Sequence, residues 1–327
     1  MSKPHLEVAV GVMLRPDGQV LLGSRPADKP WPGWWELPGG KIEAGETVTQ
    51  ALARELKEEL DVQVSQAEPW VVYTHEYPKT IVRLHFCRIY HWQGEPRGME
   101  GQQITWVDPR HPNTSGPLLP AALPPLRWLQ LPEHYLITAI GAPSELGAYL
   151  TRLENALQSG LRLVQFREPD WAAQGHQSDT LQAAFQQVLA LCQRYQAICL
   201  VNSVHPESWW KQADGVHLRS QDARRLQAQL SHDVSQRQGF LAMSTHNAAD
   251  IHIAKELNTD FIVLGHVLDT PSHPNTPGMG WEGFEALQQL AACPVYALGG
   301  QSPDTQQDAK RHGAHGIAGI RQLLNSL

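Results

Sequence analysis

Two α/β domains are predicted for this chain: strands gathered around one amphipathic helix, then a (β/α)8 barrel. Three observations carry the prediction. A length of 327 residues is enough for about two cores. A proline-dense stretch at 108–131 separates two different hydrophobic patterns, and prolines at that density block a continuous helix or central strand. Beyond it, short apolar runs alternate with amphipathic stretches eight times, the pattern of parallel strands crossed over by helices. The expected domains are therefore 1–131, with 108–131 as the connection, and 132–327.

Composition narrows the function. The chain is 42% hydrophobic and 18% charged, an ordinary globular balance. Its net charge of −7, from 26 basic and 33 acidic residues, argues against a surface that coats a nucleic-acid polymer and favours small anions bridged by metal. Cys87, Cys192, Cys199 and Cys293 form no C-x2-C pair and lie in apolar runs, which suits a reducing compartment rather than zinc or disulfides. The N-terminus has no basic region leading into an apolar run, and no window approaches a membrane span, so a cytoplasmic protein is expected.

In the first domain, Glu7–Leu14 and Gln19–Gly23 read as strands joined in a hairpin by Arg15-Pro16-Asp17-Gly18. Arg25 follows, a residue that faces either solvent or a bound phosphate. The Pro/Gly/Trp loop Lys29–Gly40 then delivers the chain to the helix. Trp35 is assigned to packing, while Trp31 and Trp34 fit either packing or stacking on a base. Gly39 and Gly40 let backbone approach a phosphate or metal closely.

A helix over Glu46–Leu60 puts Val48, Leu52, Glu55 and Glu59 on one face, with Ala51, Leu56 and Glu58 beside them. Like charges four residues apart cost a few tenths of a kcal/mol, and turning them toward a core adds desolvation. A divalent cation removes both objections, and crowded carboxylates suit Mg²⁺ or Mn²⁺. After the helix, Trp70–Thr74, Thr80–Trp92 and Gln103–Val107 read as strands, and Leu126–Leu131 as a short helix packing back.

The run from Gly40 through Glu46, Arg54, Glu55, Leu56, Glu58, Glu59 and Val62 resembles the Nudix box, with Asp61 at a helix-end position where the family has Gly. Trp92-Gln93-Gly94-Glu95-Pro96-Arg97-Gly98-Met99-Glu100-Gly101-Gln102 resembles the corresponding loop of MutT-type Nudix hydrolases. The resemblance implies a mixed sheet with the Nudix helix. It also implies hydrolysis of 8-oxo-dGTP or related nucleoside triphosphates to monophosphate and pyrophosphate. It makes Glu55 the general base and Arg54 the residue that orients the glutamates. Gly39, Glu55, Glu58, Glu59 and Glu100 would bind Mg²⁺ or Mn²⁺, Arg25 and Gly40 the phosphates, and Glu46 would support the site. Such enzymes sanitise the nucleotide pool, a DNA-repair function. One departure concerns the base: Pro120-Ala121 is followed by Ala122 where the family reads the oxidised purine with Asn.

The barrel strands are expected at Tyr135–Thr138, Leu161–Phe166, Ala197–Val201, Gly215–Leu218, Phe240–Met243, Phe261–Leu264, Val295–Leu298 and Gly316–Ala318. Chemistry in this architecture sits at the strands' C-terminal ends, which nominates Gln165, Arg167, Asn202, Ser244, His246, His266, Gly299 and Gly300. The segments Val164–Glu168, Ala213–Leu218, Ser244–His246 and Ala297–Gly300 together resemble the thiamine phosphate synthase and TenI-type thiazole tautomerase superfamily. The synthase branch holds pyrophosphate through Mg²⁺ and an Asp after the Asn; here Ser203 follows Asn202 and Pro169 stands for a lysine, although Asp222 keeps the second acidic position. Leu264-Gly265-His266-Val267 is closer to the tautomerase branch, which makes His266 a proton-transfer residue acting on a thiazole phosphate held near Gly299 and Gly300. A thiamine-related diphosphate as the Nudix substrate, and a barrel that only binds ligand or oligomerises, are the alternatives.

Overall fold

The computed structural model describes residues 3–173, 179–229, 239–270 and 276–325, and the chain divides into two compact units, Met1–Gln130 and Leu131–Leu327. The first unit contains β1 (His5–Met13), β2 (Val20–Ser24), β3 (Trp35–Glu36), β4 (Gly39–Lys41), α1 (Val48–Leu60), β5 (Glu68–Glu76), β6 (Ile81–Ile89), β7 (Ile104–Val107) and α2 (Leu123–Trp128). They make two sheets, ordered β4-β1-β6-β5 and β3-β2-β7. The first sheet is mixed, because β1 runs parallel to β6 and antiparallel to β4.

Helix α1 seats Ala51, Leu52, Leu56 and Leu60 in the core with Ala9, Met13, Leu21, Cys87 and Ile89. It begins at Val48, two residues later than the spacing predicts. Thr47 is the cap: its hydroxyl accepts the Gln50 amide while the Gln50 side chain accepts the Thr47 amide, leaving Glu46 outside the helix. Asp61 ends the helix in the left-handed region, at φ 56°, as a glycine would.

Three other expectations change. The predicted hairpin keeps its turn, with Gly18 N–H donating to Arg15 O at 2.9 Å, but β1 and β2 enter different sheets and share only an isolated bridge at Leu14 and Val20. β3 and β4 lie inside the loop read as irregular. The short helix starts at Leu123, because Pro124 and Pro125 occupy its first turn, where no amide hydrogen is required. Trp128 then packs edge-on against Trp70, Tyr73 and Phe86, so the proline-rich stretch is anchored rather than solvated at its end.

The second unit closes eight parallel strands into a barrel: β8 (His134–Ile137), β9 (Leu163–Phe166), β10 (Ile198–Asn202), β11 (Gly215–Leu218), β12 (Phe240–Thr245), β13 (Phe261–Gly265), β14 (Val295–Leu298) and β15 (Gly316–Gly319). Each falls on a predicted apolar run, as expected for strands covered on both faces. Tyr135, Phe261 and Tyr296 meet across the interior with ring centroids 5.1–5.7 Å apart, and fill it. The four cysteines are free and buried. No helix among the described residues is long and apolar enough to cross a membrane.

Asp61 gives the first test. Asp61→Val should destabilise the protein by about 1–2 kcal/mol, because a β-branched residue resists the left-handed region, whereas Asp61→Gly should not. Denaturant titration of the two variants measures the difference.

Candidate functional site

Arg54 organises one half of the carboxylate cluster on α1. Its Nε and Nη2 donate to the two Glu46 oxygens at 2.8 and 2.9 Å, and Nη1 donates to Glu55 at 2.8 Å and Glu58 at 3.4 Å. A fifth bond, from Nη2, reaches Lys41 O at 3.1 Å. The bidentate pair, helped by the Glu43 amide, holds the Glu46 carboxyl down at about 2. Against Glu55 lies the bare α-carbon of Gly40: a Cβ there would fall 2.1 Å from the Glu55 carboxyl carbon. Glycine at this position thus makes the space in which the carboxylate sits.

Glu59 belongs to the other half. It accepts the Gly39 amide at 3.1 Å, and burial pushes its carboxyl up to about 7, a rise that the Gly39 amide and Lys29 oppose while Glu100 and Glu55 add to it. Glu100 is brought alongside by the end of the helix itself. Arg97 N–H bonds Leu60 O, Met99 N–H bonds Glu59 O, and the Gln102 side chain donates to Glu59 O, so residues 97–102 cap α1's last carbonyls. The Lys29 ammonium lies between the two acids, 2.5 Å from Glu100 and 3.8 Å from Glu59.

Nearby, Arg25 pairs with Glu36 at 3.0 Å, and its buried Nε has no hydrogen-bond partner. Trp31, 42% exposed, meets Trp34 edge-on, while Trp35 is buried and bonded through its backbone to Pro117 and Leu119. Ala122 is buried in a 3-10 turn.

The five residues expected to bind metal are not gathered into one set. Among the described residues no group of three or more His, Cys, Asp or Glu is arranged to hold a metal. Glu55 and Glu58 turn to Arg54, and Glu58 is 58% exposed; Glu59 and Glu100 turn to Lys29. Gly39 donates its amide to Glu59. The Glu59–Glu100 pair nonetheless fits a cation, since hard oxygens from two elements already flank an ammonium there.

Inside the barrel three of the nominated polar residues, Gln165, Asn202 and Ser244, join Tyr135 and His217 in one chain of hydrogen bonds. Asn202 Nδ2 donates to Gln165 Oε1 at 2.7 Å and Gln165 Nε2 to the Tyr135 hydroxyl at 2.8 Å; that hydroxyl lies 3.0 Å from His217 Nδ1, and His217 Nε2 lies 2.8 Å from Ser244 Oγ. Burial, then Arg167, pushes His217 down to about 3, so the ring is neutral. A neutral imidazole donates from one ring nitrogen and accepts at the other, so His217 links the Tyr135 hydroxyl to Ser244. Sequence reasoning missed Tyr135 and named His217 only within a motif.

Arg167 is partly buried, which lowers its pKa, and Arg219 lies in its electrostatic range. Asp222 accepts Ser203 Oγ at 2.7 Å and Arg219 Nε at 2.6 Å, with Arg225 at 3.6 Å. His246 pairs through Nδ1 with buried Asp250 at 3.2 Å. His266 Nε2 lies 3.1 Å from Thr276 O, and Gly299 packs against it: a Cβ on Gly299 would come 2.4 Å from the His266 Cβ. Gly299 and Gly300 both have positive φ, at 99° and 66°.

The NUDIX domain family matches residues 4–129, and the thiamine monophosphate synthase family matches residues 134–323, more than half of the chain. The 8-oxo-dGTP diphosphatase of Haemophilus influenzae is 39% identical over 121 residues, 37% of this chain and 88% of that protein. This chain joins a Nudix domain to a thiamine monophosphate synthase family barrel. The CTP pyrophosphohydrolase of Escherichia coli is 36% identical to the Nudix domain over 119 residues, 36% of the chain and 87% of that protein. The thiamine-phosphate synthase of Thermosynechococcus vestitus is 32% identical to the barrel over 199 residues, 61% of the chain, which spans only 53% of that protein. The barrel is thus similar to synthases and not to the tautomerase branch alone.

Gly40 tests the Nudix site directly. Gly40→Ala should leave the thermal midpoint nearly unchanged, since Gly40 does not adopt a positive φ, yet displace Glu55 by about an ångström. A misplacement of that size costs on the order of a hundredfold in hydrolytic kcat/KM.

Proposed function

We propose that the Nudix domain is a divalent-metal-dependent pyrophosphohydrolase that converts a nucleoside triphosphate and water into the monophosphate and pyrophosphate, with 8-oxo-dGTP the favoured substrate. The observation that carries this reading is Glu59: a carboxylate raised to about 7 by burial, sharing one cation with Glu100 and lying one helical turn from Glu55. Mg²⁺ or Mn²⁺, held by Glu59 and Glu100 with Glu55 and Glu58 in reach, would neutralise the phosphate oxygens that repel an incoming hydroxide. Glu55 takes the proton of the attacking water: Arg54 bonds one of its oxygens and orients the carboxylate. Arg25, with an unpartnered Nε, offers a donor to the phosphate chain.

Ala122 favours a second reading of the base. A methyl cannot donate and accept at a purine edge, and a cytidine triphosphate, the kind of substrate named for the Escherichia coli relative, or a thiamine-related diphosphate, does not need that contact. Release of pyrophosphate from 8-oxo-dGTP, dGTP and CTP, and of orthophosphate from thiamine diphosphate, by the whole chain decides among them. Ala122→Asn should raise the kcat/KM preference for 8-oxo-dGTP over dGTP by about tenfold to a hundredfold, the worth of one bidentate base contact of roughly 1–3 kcal/mol. An unchanged ratio shows that Ala122 does not face the base.

For the barrel we infer a phosphate-bearing thiazole ligand and proton transfer by His266, which meets Gly299 at the strand ends where this architecture binds phosphate. Metal-held pyrophosphate chemistry has less support: Ser203 stands where the synthase branch has an acid, and Asp222 accepts from Ser203 and Arg219. His266→Ala should abolish isomerisation of a thiazole phosphate while pyrophosphate release continues at the unaltered rate. A proton-exchange assay by NMR in D₂O reads the first, and retained exchange removes His266 from the role.

A further inference from the structure

Lys29 has no counterpart among the residues that the Nudix reading assigns, yet it makes the shortest charged contact in that site. Glu100 is held by the residues that cap α1, and Glu59 is held by the Gly39 amide, so both acids are fixed by backbone. Lys29 instead extends a flexible stem from the loop between Arg25 and Trp34, whose ends are pinned by the Arg25 amide on Trp34 O at 2.7 Å. The pair of acids carries two negative charges and Lys29 returns one. A dication in the same position would neutralise the pair completely, and an ammonium is a compact point charge that leaves such a position readily.

We propose that Lys29 is a positioning residue that competes with the divalent cation for Glu59 and Glu100, and that it turns to the substrate phosphates when the cation takes its place. The inference rests on the Nudix reading given above. Its consequence is an exchange of cations: the ion's arrival frees a positive charge within reach of a poly-anionic substrate, so ion and nucleotide bind with mutual support, each removing an obstacle to the other.

The test is Mn²⁺ binding to the full chain without nucleotide, followed by electron paramagnetic resonance, in the unaltered protein, Lys29→Met, Lys29→Arg and Glu59→Gln. Lys29→Met should bind Mn²⁺ about threefold to tenfold more tightly, the fold-change that removal of one partly exposed ion pair allows. It should also raise KM for the nucleoside triphosphate with a smaller change in kcat. Lys29→Arg should stay near the unaltered affinity. A merely structural lysine would lower metal affinity on removal, not raise it. Equal affinities in the unaltered chain and Lys29→Met overturn this inference and leave the metal site standing. Absence of Mn²⁺ binding in every form, or binding indifferent to Glu59→Gln, overturns the metal site and the inference with it.

Discussion

Glu55 and Glu59 stand one turn apart on a helix whose adjoining positions are sealed into the core by Leu52, Leu56 and Leu60, and the first unit is built around that conflict. Neither carboxylate can retreat into solvent without withdrawing apolar surface. Each is therefore answered locally. Arg54 grips Glu55 while anchoring itself on Glu46; the Gly39 amide meets Glu59, and the bare Gly40 backbone leaves room for Glu55. The helix C-terminus adds a further requirement, because its last carbonyls need donors. Residues 97–102 supply them and in doing so deliver Glu100 to Glu59. A backbone need and a site need are met by one loop, which is why Gly98 can tolerate no side chain: a Cβ there would sit 2.0 Å from Gln102 O.

Much of this was legible in the residues, and the boundary of legibility follows the range of the interactions. The helix could be read from its period, and even the Asp61 end could be read, because both are local. The eight barrel strands could be read because a strand buried on both faces is a continuous apolar run. β3 and β4 could not, since Trp35–Glu36 and Gly39–Lys41 are strands only by pairing with β2 and β1. The start of α1 was misread because Thr47 and Gln50 outcompete the acidic periodicity for the first turn.

In the sites, the residue types were legible and their partners were not. Glu59, Glu100, Gln165, Asn202 and Ser244 are visible as chemistry-bearing residues at the right positions. That Lys29 would reach Glu100 across a separation of 71 residues, or that Tyr135 and His217 would thread Gln165 to Ser244, depends on folding alone. The four glutamates among the expected metal ligands pair with two internal cations, Glu55 and Glu58 with Arg54 and Glu59 and Glu100 with Lys29, a pairing invisible in spacing.

The two units solve one electrostatic problem in opposite ways. In the Nudix domain Glu59 and Glu100 share a single ammonium, so the local balance stays negative and favours a cation of higher charge. In the barrel Asp222 receives Arg219 at 2.6 Å, with Arg225 3.6 Å away, so two guanidinium groups face one acid. A positive mouth binds an anion directly through guanidinium groups, which present paired donors to phosphate oxygens. Ser203, where an acid would have added a second negative charge, donates to Asp222 instead and closes the network.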